Sequence, residues 1–206
     1  MKKVHNVEQR SDEWFELRQK YILSASGAQA IGNQGKGLES LCWDKIAEKY
    51  SSATRIQYTN NDMERGVELE PQAISIYELK TGNKVDQIGF VTDDKISKVG
   101  GASPDGAVGK DGNIEVKCFA DTKYFKMVVE YNKTGSFEIE SGYQWQVQMQ
   151  MLFTNTKWTD FIAYNPNYKQ SILVQRILPD KAMQDKIREG LKKGKEIINQ
   201  IEANIK

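Results

Sequence analysis

At Thr81-Gly82 the hydrophobic period of this chain changes from that of a helix to that of a strand. Upstream, apolar residues recur at helical spacing, which predicts helices over residues 11–19, 38–50 and 63–80, with a further helix beginning at Ser24. Ser11 caps the first, with Asp12 and Glu13 in its opening turn. The run GNQGKG at 32–37 reads as a flexible loop. Downstream, residues 85–91, part of 99–108 and 114–118 alternate as strands do, with a turn at Lys110-Asp111-Gly112-Asn113. Helix returns at 122–131, a polar loop runs to Ser141, and helix follows over 143–153. Strands at 158–164 and 171–177 and an amphipathic helix over 179–205 close the chain. That order predicts an α/β (α+β) fold, a mostly antiparallel or mixed central sheet flanked by helices.

The 206 residues show no internal repeat, low-complexity segment or Pro-rich linker, so residues 1–206 are expected to form a single domain. No apolar run approaches the roughly 20 residues that span a bilayer. The first ten residues are polar and lack the apolar core of a signal peptide, so a cytoplasmic location is expected.

The scarce residue types exclude more. One histidine, His5, rules out a His-Glu-x-x-His zinc site and disfavours a histidine-based triad. Cys42 and Cys118 stand 76 positions apart, read as reduced core thiols, and form no zinc-binding pair. There is neither a GxxxxGK[ST] loop nor a GxGxxG turn. Lys and Arg total 29 against 28 Asp and Glu, a net charge of +1. A nucleic-acid binder on such a body needs a local positive surface rather than bulk charge.

Four local features converge. Ser103-Pro104-Asp105-Gly106 sits at a strand–turn junction, where Pro-Asp-Gly is also ordinary turn chemistry. In Ile114-Glu115-Val116-Lys117-Cys118 the alternation sets Glu115 and Lys117 on one face, which a half-exposed strand also explains. In the 63–80 helix, Met63, Val67, Ile74 and Tyr77 form an apolar row whose gap is filled by Glu70, followed by Pro71. A buried acid needs a partner, a proton or a metal. Gln144, Gln146, Gln148 and Gln150 crowd one helix; Gln146 and Gln150 share the side of Tyr143 and Val147, unless the row is simply a polar face.

Asp105, Glu115 and Lys117 spell P-D-x(9)-E-x-K. Two carboxylates on adjacent strands, with a strand carbonyl such as that of Val116, offer hard oxygen ligands to Mg²⁺. That chemistry suits a metal-dependent phosphodiesterase, in which the ion activates water and polarises the phosphoryl group. Lys117 would orient the water or, with a lowered pKa, take its proton.

The chain resembles the phage-type alkaline exonucleases of the PD-(D/E)xK superfamily, the YqaJ-like viral recombinase group. Six ordered blocks from about Glu8 to at least Tyr164 carry the resemblance. They are Glu8-Gln9 with Trp14-x-x-x-Arg18, Ser24-Ala25-Ser26, Gly66-x-x-x-Glu70 with Thr81-Gly82, Ser103-Pro104-Asp105-Gly106, Glu115-Val116-Lys117-Cys118, and Tyr143-x-x-Gln146-Val147-Gln148. The stretch 53–61 is polar and fits no family pattern.

The resemblance implies a PD-(D/E)xK nuclease core in which Asp105, Glu115 and the Val116 carbonyl hold a metal ion and Glu70 supports a second ion or the first. Lys117 and Gln146 would position and activate water. Arg18, Ser24 and Ser26 would grip a 5′-phosphate, with Tyr143 also on the substrate side. Alternatives for these are a surface salt bridge from Arg18 to Glu13 or Glu16, and a plain helix cap at Ser24. Lys36, Lys123 and Lys126 are candidates for DNA backbone contacts or simply solvated, as Lys192, Lys193 and Lys195 are expected to be. The implied protein is encoded by a phage or prophage and uses two Mg²⁺ ions, Mn²⁺ being a candidate substitute. It digests double-stranded DNA ends 5′ to 3′ to mononucleotides, as a homotrimeric ring that passes the 3′ strand to a single-strand annealing protein. A ring holds DNA topologically, so its outer surface need not be basic. Competing readings are a structure-specific or restriction-type endonuclease on the same core, and a non-catalytic DNA-end-binding protein.

Overall fold

The computed structural model describes residues 1–51 and 61–205. All but the last residue of the polar stretch 53–61 therefore lies outside the described residues, as does the side chain of Met63. In chain order the elements are β1 (Lys2–His5), α1 (Asp12–Lys20), β2 (Leu23–Ser24), a 3-10 turn (Ala25–Gly27), α2 (Ala28–Asn33), α3 (Gly35–Tyr50) and α4 (Asn61–Thr81). Then come β3 (Phe90–Asp93), β4 (Gly100–Gly101), β5 (Gly106–Val108), β6 (Gly112–Cys118), α5 (Asp121–Thr134), α6 (Ser141–Thr154), β7 (Trp158–Tyr164), β8 (Ile172–Ile177) and α7 (Lys181–Glu202). The expected α/β class with a mixed sheet is borne out: β5-β6-β7-β8 form a four-stranded sheet, antiparallel, parallel, antiparallel in turn. Two small ribbons, β1 with β3 and β2 with β4, stand beside it.

Strand β6 is interior to the sheet, and its two faces differ. Ile114, Val116 and Cys118 pack with Ala73 and Tyr77 of α4 and with Ile162 and Tyr164 of β7. Asn113 and Glu115 face α6, where Asn113 donates to Thr154 Oγ1 at 2.9 Å. Glu115 is fully buried, so the half-exposed strand that alternation alone allowed is corrected. Helix α6 covers that face because its own residues 147–154 are all buried, packed between the sheet and α7.

Four local expectations also change. The 32–37 loop is instead a tight join between α2 and α3 at Gln34, whose φ of 59° turns the chain without a linker. Pro71, a residue type expected to disturb the helix ladder locally, leaves α4 continuous. On α4, Ala73 and the expected Tyr77 are buried, the expected Ile74 packs partly buried beside them with Leu69 and Ile76, and Val67 is exposed. The helix expected at Ser24 is a three-residue 3-10 turn that the Ser24 side chain does not cap. Among the described residues no helix is long and apolar enough to cross a membrane.

Candidate active site

The site is built just before β5 begins, where β6 runs on past it. The Asp105 N–H donates to the Ile114 carbonyl at 3.2 Å, the last rung between the two chains. At the next outward-facing position of β6 the partner is a side chain: Val116 N–H donates to Asp105 Oδ2 at 2.7 Å. A strand residue turns its N–H and C=O to the same edge, so the Val116 carbonyl also faces the Asp105 side, beyond the first residue of β5. Pro104 and Gly106 permit this turn; a Cβ at Gly106 would lie 2.3 Å from Val85 Cγ1.

Glu115 is the centre of the arrangement. Its Oε1 accepts from Lys117 Nζ and, at 2.6 Å, from Gln146 Nε2. Its Oε2 accepts from Gln150 Nε2, also at 2.6 Å. Gln146 and Gln150 are one helical turn apart on α6, so both amides reach the same carboxylate. Burial, the adjacent Glu115 and the more remote Glu70 push the Asp105 carboxyl well above the usual carboxylate range, against the pull of Lys117 and the Val116 N–H. Burial by itself lowers Lys117, yet Glu115 and Asp105 outweigh it and hold the ammonium above its ordinary value. Of the two expected roles for Lys117, orienting water fits this ammonium. The Tyr143 ring lies 5.2 Å from Lys117 Nζ and 5.8 Å from Lys123 Nζ, at the edge of the same cluster.

Glu70 has a partner of its own. It is partly buried and pairs with Arg10 at 2.7 Å, close enough to Asp105 to raise that carboxyl but not joined to it. Among the described residues, no three His, Cys, Asp or Glu side chains are grouped as ready ligands. What the cluster offers a cation is Asp105, Glu115 and the Val116 carbonyl, all oxygen. Two crowded carboxyls, one of them raised by the other, gain from a divalent cation, and oxygen donors are what Mg²⁺ takes. The Cys118 thiol, pushed up to about 11 by burial and the nearby acids, is a poor thiolate ligand.

A second group lies along α1. Arg18 donates to Ser26 Oγ at 3.4 Å, and the Ser24 and Ser26 hydroxyls meet at 3.1 Å. Arg18 and Ser24 help line a cavity of about 30 Å³ that also includes Lys45 and Glu48. The three residues expected together are thus adjacent. The helix N-terminus expected beside them is only the short 3-10 turn. Of the lysines expected at DNA, Lys123 pairs with Glu140 at 2.6 Å. His5 bonds Thr92 at 3.0 Å in the β1–β3 ribbon.

Sequence reasoning singled out Gln150 but gave its role to Gln146 alone; the signal was the i, i+4 pairing. It assigned no role to Gln9, which donates to the Pro104 carbonyl at 2.8 Å and the Ile88 carbonyl at 3.0 Å. Nor did it assign one to Trp14, whose Nε1–H donates to Ser103 Oγ at 2.8 Å. The three bonds span 79 to 95 residues, separations that local pattern does not carry.

A family model, the YqaJ-like viral recombinase domain, matches residues 13–157 and so takes in every one of these site residues except Gln9 and Arg10. The chain belongs to the YqaJ-like viral recombinase family. Among solved structures it is similar to the alkaline exonuclease LHK-Exo from Laribacter hongkongensis, with 28% identity and a TM-score of 0.76 over 94% of this chain and 97% of that one. The same exonuclease in complex with dAMP matches at 29% identity, TM-score 0.76 and the same coverage. A phage-related exonuclease from Haemophilus somnus 129PT shares the fold at 17% identity and TM-score 0.66, over 89% of this chain and 96% of that one. No curated protein sequence matches the chain. The resemblance to phage-type alkaline exonucleases expected from the six blocks is borne out by the family model and by LHK-Exo.

Proposed function

We propose that this YqaJ-family chain is a Mg²⁺-dependent 5′-to-3′ exonuclease acting on double-stranded DNA ends. The observation that carries the reading is the convergence of Lys117, Gln146 and Gln150 on the Glu115 carboxylate, with Asp105 beside it. In this reading Asp105, Glu115 and the Val116 carbonyl would hold the ion, and Glu70 would support a second ion or the first. When bound, the ion polarises the phosphoryl oxygen and acidifies the attacking water. The chain's own residues do the rest. The Lys117 ammonium orients the water and offsets charge developing on the phosphoryl group. The Gln146 amide holds Glu115 in one rotamer and presents its carbonyl oxygen to the same region. Arg18, with Ser24 and Ser26, receives the terminal 5′-phosphate, for which a planar guanidinium is suited by its parallel N–H donors. Tyr143 lines the entry for the strand being cut.

The reading extends to assembly. A chain of net charge +1 gains hold on DNA if it encloses the duplex as a homotrimeric ring, leaving the 3′ strand for a single-strand annealing protein. The test compares linear with closed-circular duplex DNA, in Mg²⁺ or in EDTA, with Glu115→Ala as control. Loss of linear DNA alone, in Mg²⁺ alone and not with the variant, supports the exonuclease. Cutting of circles favours an endonuclease on the same core, and DNA binding without cleavage favours a non-catalytic end-binding protein.

A further inference from the structure

We propose that Trp14 is a positioning residue that ties recognition of the strand end to the geometry of the carboxylate centre. The proposal rests on the reading of Arg18 as the phosphate ligand and deepens it. One indole serves two groups at once. Its ring supports the Arg18 guanidinium, with Cζ 4.5 Å from the ring centroid, and its Nε1–H donates to Ser103 Oγ at 2.8 Å. Trp14 and Arg18 are i and i+4 on α1, hence on one face. The Ser11 side chain caps that helix by accepting from the Trp14 N–H at 3.3 Å, which fixes the start of the turn carrying the indole.

Beyond Ser103 the connection continues through stiff parts. Ser103 precedes Pro104-Asp105, and Pro104 has its φ fixed by its ring. The Gln9 amide anchors the Pro104 carbonyl. The Ser103 carbonyl accepts from Gln150 Nε2 at 3.3 Å, the same amide that donates to Glu115 Oε2. Arg18, Trp14, Ser103, Gln150 and Glu115 therefore form one contiguous chain of contacts, with Asp105 two residues from its middle link. A phosphate held on Arg18 is thereby registered against Asp105 and Glu115. Since a misplacement of about 1 Å at a reacting group costs on the order of 100-fold in rate, such a tie gives end recognition a direct effect on catalysis.

The test uses the full chain and two duplex substrates differing only in a 5′-phosphate or a 5′-hydroxyl. Trp14→Phe keeps a ring under Arg18 and deletes the N–H donor; Ser103→Ala deletes the acceptor and is the milder change. The expected result is that each variant lowers the ratio of kcat on phosphorylated to kcat on hydroxyl ends by about ten-fold, with KM for the phosphorylated end changed by less than about two-fold. The double variant is expected to be no worse than either single one. An unchanged ratio, with both substrates slowed equally or not at all, makes Trp14 a packing residue and overturns the proposal. A wild-type enzyme that ignores the 5′-phosphate overturns the reading of Arg18, and the proposal with it; a wild-type preference that survives in both variants overturns the proposal alone.

Discussion

Gln150 and Glu115 meet inside the protein: the Gln150 amide donates to Glu115 Oε2 at 2.6 Å, where neither residue reaches bulk water. A buried carboxylate oxygen robbed of its donor costs about 1–3 kcal/mol, more when charged. Gln150→Ala is expected to destabilise the fold by that order and to lower nuclease rate or Mg²⁺ affinity by about 10–100-fold, the usual effect of losing a group that orients a metal ligand. Single-turnover rates against Mg²⁺ concentration check this; wild-type rates and affinity in the variant would contradict it.

Asp105 carries a stability cost that serves the site. Burial and Glu115 raise its folded pKa above the unfolded value, so protonation stabilises the folded chain at low pH and that contribution is lost as pH rises through the folded value. Asp105→Asn keeps an oxygen for the Val116 N–H and removes the charge. In EDTA at neutral pH it is expected to raise Tm by about 2–4 °C, an advantage that fades as pH falls toward the usual carboxylate range. Added Mg²⁺ is expected to stabilise the wild type and not the variant. Thermal unfolding of both proteins across pH and Mg²⁺ measures each part.

How much of this the sequence carried depends on distance along the chain. The Glu115–Lys117 face and the Gln146–Gln150 pairing follow from strand and helix periods, which act over a few residues. That α6 buries Glu115 is a tertiary fact: the strand pattern is the same for a wet face and a covered one. Glu70 was legible as an acid in the apolar row of its helix and is partly buried, but its ion-pair partner Arg10 stands 60 positions away. Strand β1 escaped notice because Lys2–His5 is short, polar and largely exposed, held by its pairing with β3. The 32–37 run looked like a loop on its glycines, yet helix α3 begins at Gly35, where the left-handed φ of 64° lets the chain turn.

Alkaline pH is expected to weaken the fold through Cys42. Burial, with Glu39, pushes its thiol up to about 11 from an ordinary 9.0. The folded pKa lies above the unfolded one, so the stability contribution is complete below the unfolded value and is lost as pH rises through the folded one. Denaturant midpoints at about pH 8 and about pH 11 are expected to fall, and to fall less for Cys42→Ala than for the wild type. An identical fall in both would contradict the assignment.

Helices α2 and α7 cross at Gly190, where an added Cβ would sit 1.9 Å from the Ile31 carbonyl oxygen. Backbone on the opposite side cannot yield as a flexible side chain can. Gly190→Ala is expected to cost about 3 kcal/mol, with the midpoint of chemical denaturation as the measure.

The central claim, that Asp105, Glu115, Lys117 and Gln146 form one hydrolytic centre entered from a 5′ end, is tested most directly with a linear duplex phosphorylated at the 5′ end of one strand only. Each strand carries its own label, and products are followed with Mg²⁺ or EDTA for the wild type and Lys117→Ala. The account predicts Mg²⁺-dependent conversion of the phosphorylated strand to mononucleotides from its 5′ end, with its partner left intact and the variant inactive. Digestion from the 3′ end, or an active Lys117→Ala, would contradict it.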